Sequence, residues 1–130
     1  MRLSLRGGEK IYVNGAVLSV DRRVSIELLN DATFLLEAHV MQAHQATTPL
    51  RQLYFVVQLM LMDPGNLPST RAAFDAMVAA EAVAFADAGV LEGLAAVRAH
   101  VAEARPFEAL KRIRGLLPVE DEILRGRRAA

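Results

Sequence analysis

Apolar and polar residues alternate with a period of two through the first third of the chain and fall at helical spacing through the rest. Arg2 to Leu5 alternates, Gly7-Gly8 turns the chain, and Lys10 to Val13 puts Ile11 and Val13 on one side of a short strand. Asn14-Gly15 then predicts a two-residue hairpin, because a type I′ turn needs positive φ at both central positions. Ala16 to Val20 returns, Asp21-Arg22-Arg23 makes a charged turn, and Val24 to Leu28 alternates again. Asn30-Asp31 breaks that strand and Thr33 to Glu37 supplies a fifth. A meander of five such short strands closes no core alone. It must pair with another copy or rest on the segments that follow.

Those segments are organised around one helix, residues 49–62. Thr48 followed by Pro49 reads as an N-cap with proline in the first turn, where its missing N–H costs nothing. Asp63-Pro64-Gly65-Asn66 is the stop, since the residue before proline is pushed out of the α region. Between those marks only Arg51, Gln52 and Gln58 are polar, so the helix is buried nearly all round, with Leu53, Val57 and Leu61 in the core. Its roughly 13 apolar-rich residues fall short of the about 20 that cross a bilayer. Arg51, Tyr54, Phe55 and Gln58 share one stripe. That stripe is either a solvent-facing seam or a contact surface for a partner.

Residues 38–46 form a connector with room for one helical turn. Beyond the central helix, Ser69 or Thr70 caps a helix over Arg71 to Ala88 with Phe74, Met77, Val78, Ala82 and Phe85 inward, closed by Gly89. Another runs from Val90 to Ala104. Pro106 opens the last, with Leu110, Ile113 and Leu117 inward and Lys111, Arg112 and Arg114 outward, and Pro118 ends it. Val119 to Leu124 then adds a short acidic turn, and the tail from Arg125 frays. The architecture is α+β: an antiparallel β-module over 1–46, then a helical bundle over 47–130.

Charge and composition narrow the function. Fifteen basic and fifteen acidic side chains cancel, which argues against indiscriminate nucleic-acid binding but leaves room for a local basic patch. Without cysteine there is no disulfide, thiolate metal site or cysteine nucleophile. The N-terminal stretch lacks the apolar core of a signal peptide, and a cytoplasmic protein is expected. His39 and His44 lie five apart, off the spacing of a helical metal pair, so no metal is expected. Gly7-Gly8-Glu9-Lys10 lacks the spacing of a phosphate loop. Glu120-Asp121-Glu122 reads as a solvated face rather than an acid/base pair. No cofactor and no enzymatic activity are expected. Arg105, Lys111, Arg112, Arg114 and the terminal arginines form a basic region that also complements the dipole of the last helix.

Three blocks carry a resemblance: Gly8-Glu9-Lys10-Ile11-Tyr12-Val13-Asn14-Gly15-Ala16-Val17, Thr47-Thr48-Pro49-Leu50-Arg51-Gln52-Leu53-Tyr54-Phe55, and Phe107-Glu108-Ala109-Leu110-Lys111-Arg112-Ile113-Arg114. Together they resemble the flagellum-biosynthesis repressor family, FlbT, over nearly the whole length. The resemblance implies post-transcriptional control of flagellin synthesis through the leader of flagellin messenger RNA, and a small flagellar partner protein, FlaF. The first forty residues also resemble CsrA, a dimeric β-protein that binds messenger leaders through the first and last strands of its sheet. By that likeness Leu3, Ser4 and Arg6 lie on one RNA-facing edge and Phe34 to Glu37 on the other, and the likeness implies a homodimer. Leu36, Glu37 and Ala38 stand where the pattern has Arg-Glu-Lys.

Phosphate contacts on such an edge would come from Arg6, Lys10, Arg22 and Arg23. Arg51, Tyr54, Phe55 and Gln58 are the candidate protein-contact residues. The expected function is regulation of flagellin messenger translation or stability. The competing class is an adaptor or chaperone-like module that holds flagellin, or a FlaF-like regulator, and acts on translation indirectly.

Overall fold

The computed structural model describes residues 2–30 and 33–129, and the side chains of 2–30 and 33–126. Asp31, expected in a turn, and the terminal Ala130 lie outside the described residues. Five strands come first: β1 (Arg2–Leu5), β2 (Lys10–Val13), β3 (Ala16–Ser19), β4 (Val24–Glu27) and β5 (Phe34–Leu36). Four α-helices follow: α1 (Pro49–Met62), α2 (Leu67–Ala84), α3 (Ala88–Ala102) and α4 (Pro106–Ala129). The connector between β5 and α1 holds two single 3-10 turns, Glu37–His39 and Ala43–Gln45.

The strands make two small antiparallel sheets, not one meander: β1 pairs with β4, and β2 lies between β3 and β5. The Asn14-Gly15 hairpin is present, with φ of 49° and 85°, as a type I′ turn requires. Because side chains alternate across a strand, the rows of the three-stranded sheet separate cleanly. Leu35, Tyr12 and Val17 stand opposite one another on the face turned to the helices; Leu36, Ile11 and Leu18 stand on the other. The β1–β4 ribbon covers that second face with Leu3, Leu5, Val24 and Ile26. The result is three layers: ribbon, sheet and helices.

The β-module and the bundle share their interior. Leu35, fully buried, belongs to the same cluster as Leu50, Leu53, Val57 and Leu61 of α1. Phe107 of α4 packs against both clusters and lies 4.9 Å, ring centre to ring centre, from Phe34. Helix α1 is central, touching α2, α4, β2 and β5. Helices α3 and α4 approach closely where Gly93 meets Leu116; a Cβ at Gly93 would come within 2.5 Å of the Leu116 side chain.

Five helix boundaries differ from the sequence expectation, the two of α3 by only two residues each. Helix α2 starts four residues early because Pro68 sits in its first turn, where proline is tolerated. It ends at Ala84, and Asp87, whose carboxylate accepts from the Val90 N–H at 3.0 Å, caps the next helix instead. Residue 82 accordingly faces out and Glu81 faces in. Pro118 does not end α4: the helix runs on through it to Ala129, so the acidic segment is helical and continuous with the basic one.

Candidate functional site

The start of α1 holds the most connected polar cluster among the described residues. Thr48 caps the helix, its hydroxyl accepting from the Arg51 N–H at 3.3 Å and donating to Glu120. The other oxygen of Glu120 accepts from the Leu50 N–H at 2.8 Å. Glu120 is 0% exposed, so its charge rests on the helix N-terminus, Thr48 and the Arg51 guanidinium, 3.4 Å away. Arg51 forks onto Asp121 with bonds of 2.8 and 3.1 Å. That guanidinium holds the Asp121 carboxyl below its ordinary value, and Asp121 raises Arg51 in return.

Further along the same face, Tyr54 donates to the His39 carbonyl. Gln58 donates to the Met41 carbonyl at 2.6 Å and accepts the Met41 N–H at 2.8 Å. A side-chain amide thus pairs with a connector residue as a neighbouring strand would. The stripe Arg51, Tyr54, Phe55 and Gln58 is therefore not a solvent-facing seam. Tyr54 and Gln58 are buried and their polar atoms fasten the connector to α1; burial raises the Tyr54 hydroxyl above its ordinary value. Phe55 and the outer side of Arg51 are what another protein could reach.

Sequence reasoning misses Glu120 as a structural anchor. Three adjacent carboxylates read as surface, and the signal for one of them turning inward lies seventy residues away, in the N–H groups that open α1. A second buried acid, Glu81, carries no sequence signal either. Its Oε1 has no hydrogen-bond partner among the described residues, and burial, with the nearby Glu120 charge, pushes its pKa up to about 8.

The residues expected at an RNA edge are divided. Leu3 points into the core between the ribbon and the sheet, so its side chain is not a surface contact; apolar alternation on β1 demands this. Ser4, Arg6, Lys10, Arg22 and Arg23 are exposed. The Gly7-Gly8 turn lies on the 21–23 turn, with the Gly8 N–H bonded to the Val20 carbonyl at 2.7 Å. That contact gathers Arg6, Arg22 and Arg23 at one end of the β-module. Arg22 is paired with Asp21 at 2.9 Å, and the Lys10 N–H donates to Glu37 at 2.8 Å. Among the described residues no group of three histidines and carboxylates could hold a metal, and no helix is long and apolar enough to cross a membrane.

Fold and site define a small α+β protein that uses its buried polar groups to hold helices in place and exposes cations and strand edges. A family model described as "Flagellar protein FlbT" matches residues 1–124. The chain belongs to the FlbT family of flagellum biosynthesis repressors, which are regulatory proteins and not enzymes. It is 54% identical over 126 residues to the "Probable flagellum biosynthesis repressor protein FlbT 2" of Bradyrhizobium diazoefficiens, covering 97% of this chain and 93% of that one. Identity is 53% to the "Probable flagellum biosynthesis repressor protein FlbT" of Chelativorans sp., over 95% of this chain and 85% of that one. The protein of the same name from Brucella ovis is 52% identical over 95% of this chain and 82% of its own length. No solved structure matches at a significant level.

Proposed function

We propose that this protein represses flagellin synthesis post-transcriptionally, in the cytoplasm, by binding the leader of flagellin messenger RNA. The observation that carries the reading is near full-length membership of a family named for repressing flagellum biosynthesis. The exposed cations Arg6, Arg22 and Arg23 at one end of the β-module support it, since phosphate contacts supply most of the affinity for RNA. The test is a mobility-shift titration of the purified protein with a flagellin leader at two salt concentrations. A shift that weakens as salt rises is expected; no shift even at low salt would remove direct RNA binding.

A second reading, an adaptor that holds flagellin or a FlaF-like regulator, draws on Phe55 and the outer side of Arg51 on α1, while the β3 edge is a separate surface suited to self-association. Val17 and Leu18, 58% and 49% exposed, stand on opposite faces of a strand whose outer edge is unpaired among the described residues. Ala16-Val17-Leu18-Ser19 carries no charge, proline or bulge, the devices that normally protect an edge. A second copy is the occupant we favour. The strand is short and uncharged, antiparallel pairing about Val17 sets Leu18 of one copy against Ala16 of the other, and a net charge of zero offers little repulsion.

A further inference from the structure

A cleft of about 620 Å³ opens between the end of the β4–β5 connection and the start of α4, within the range of about 300–1,000 Å³ common for ligand sites. Its walls mix charged, apolar, aromatic and amide groups. Arg105 and Lys111 supply two cations, and neither forms an ion pair among the described residues. The Lys111 ammonium stands 5.7 Å from the centre of the Phe107 ring, a contact that places the charge without neutralising it. Leu29 reaches the cleft 87% exposed, an apolar side chain without cover among the described residues. Asn30 brings an amide, and Glu108 the carboxylate that opposes the two cations.

Cations beside aromatic and apolar surface, with a side-chain amide at hand, are the chemistry that holds an unstacked base and its phosphates. We infer that the cleft seats a nucleotide of single-stranded RNA, with Arg105 and Lys111 on the phosphates and Leu29 and Phe107 offering apolar surface to the base. The inference rests on the RNA reading above and moves the centre of recognition from the sheet edge to the junction of β-module and bundle. The cleft and the Arg22-Arg23 turn lie beyond opposite ends of β4. Six residues from Arg23 to Leu29, at about 3.3 Å each, put them roughly 20 Å apart, so one strand of a few nucleotides can touch both. A neutral protein can recognise RNA this way because the cations that matter are local.

The experiment compares wild type, Arg105→Ala with Lys111→Ala, Glu108→Gln and Arg6→Ala for binding a flagellin leader at two salt concentrations, with folding checked by circular dichroism. Arg105 and Lys111 are exposed and in no ion pair among the described residues, so their removal leaves the fold intact. The double variant is expected to bind at least tenfold more weakly and to flatten the log K against log salt slope by about 0.7 for each phosphate it no longer neutralises. Glu108→Gln should bind more tightly, and Arg6→Ala should lose less than the double variant. Wild-type affinity in a well-folded double variant, with wild type itself binding, overturns the cleft and leaves the RNA reading standing. Absence of binding by wild type overturns both. A double variant that keeps RNA but no longer binds purified flagellin, titrated alongside, assigns the cleft to a protein and also overturns the inference.

Discussion

Glu81 is the residue whose protonation the fold dictates most strongly. Its carboxyl is pushed up to about 8 from an ordinary 4.5, so at neutral pH the folded chain keeps a proton that the unfolded chain has released. Folding then takes up a proton, and the group costs stability that grows as pH rises from about 4.5 to about 8 and is constant above. Glutamine has the same shape and no charge to bury. Glu81→Gln is expected to gain about 1–3 kcal/mol at pH 7 and nothing at pH 4, read from urea unfolding at both values. An equal effect at the two pH values would show that the carboxyl is not held neutral. Nothing in the sequence marks Glu81: it sits in an alanine-rich run where Ala82 fits the apolar period as well, and only the packing of α2 decides which turns inward.

At the scale of elements, α1 is fixed by side chains from distant parts of the chain. Glu120 answers the helix N-terminus, and Gln58 and Tyr54 hold the connector. Glu120→Ala leaves the Leu50 N–H and part of Arg51 buried without an acceptor, and should cost about 2–4 kcal/mol. Asp121→Ala removes a half-exposed partner and should cost less than about 1 kcal/mol. Chemical denaturation of both variants checks the order, and equal losses would mean that the clamp is not centred on Glu120. Much of this element is legible in the sequence: Thr48-Pro49 and Asp63-Pro64 mark its ends, and Leu53, Val57 and Leu61 are in the core as predicted. The partner of its cap is not. Pro118 carries a strong local stop signal, and tertiary burial of Glu120 and packing of Ile123 beyond it outweigh that signal. Spacing alone finds the stripe on α1, but spacing cannot tell a surface from a seam that the connector covers.

For the whole molecule, the alternation along the chain places every β-element, while the split into two sheets depends on long-range pairing that alternation does not encode. The same pairing leaves β3 as an open, apolar edge. Wild type is expected to sediment with twice the mass of one chain at micromolar concentration. Val17→Lys, which sets a charge in that edge, should return a single-chain mass while circular dichroism shows the chain still folded, with the unfolding midpoint lowered only by the lost association. A single-chain mass for wild type over that range would remove self-association.

The bond between Glu120 and the Leu50 N–H joins residues seventy apart, and this orders events in time as well as in space. A chain emerging from the ribosome exposes the whole β-module and the central helix long before the residue that locks the helix is made. Until then α1 has a threonine cap but no carboxylate, and its apolar surface has no α4 to cover it. Folding therefore completes only after residue 120 has been made, and a nascent chain that stops short of it is left with its middle unsecured.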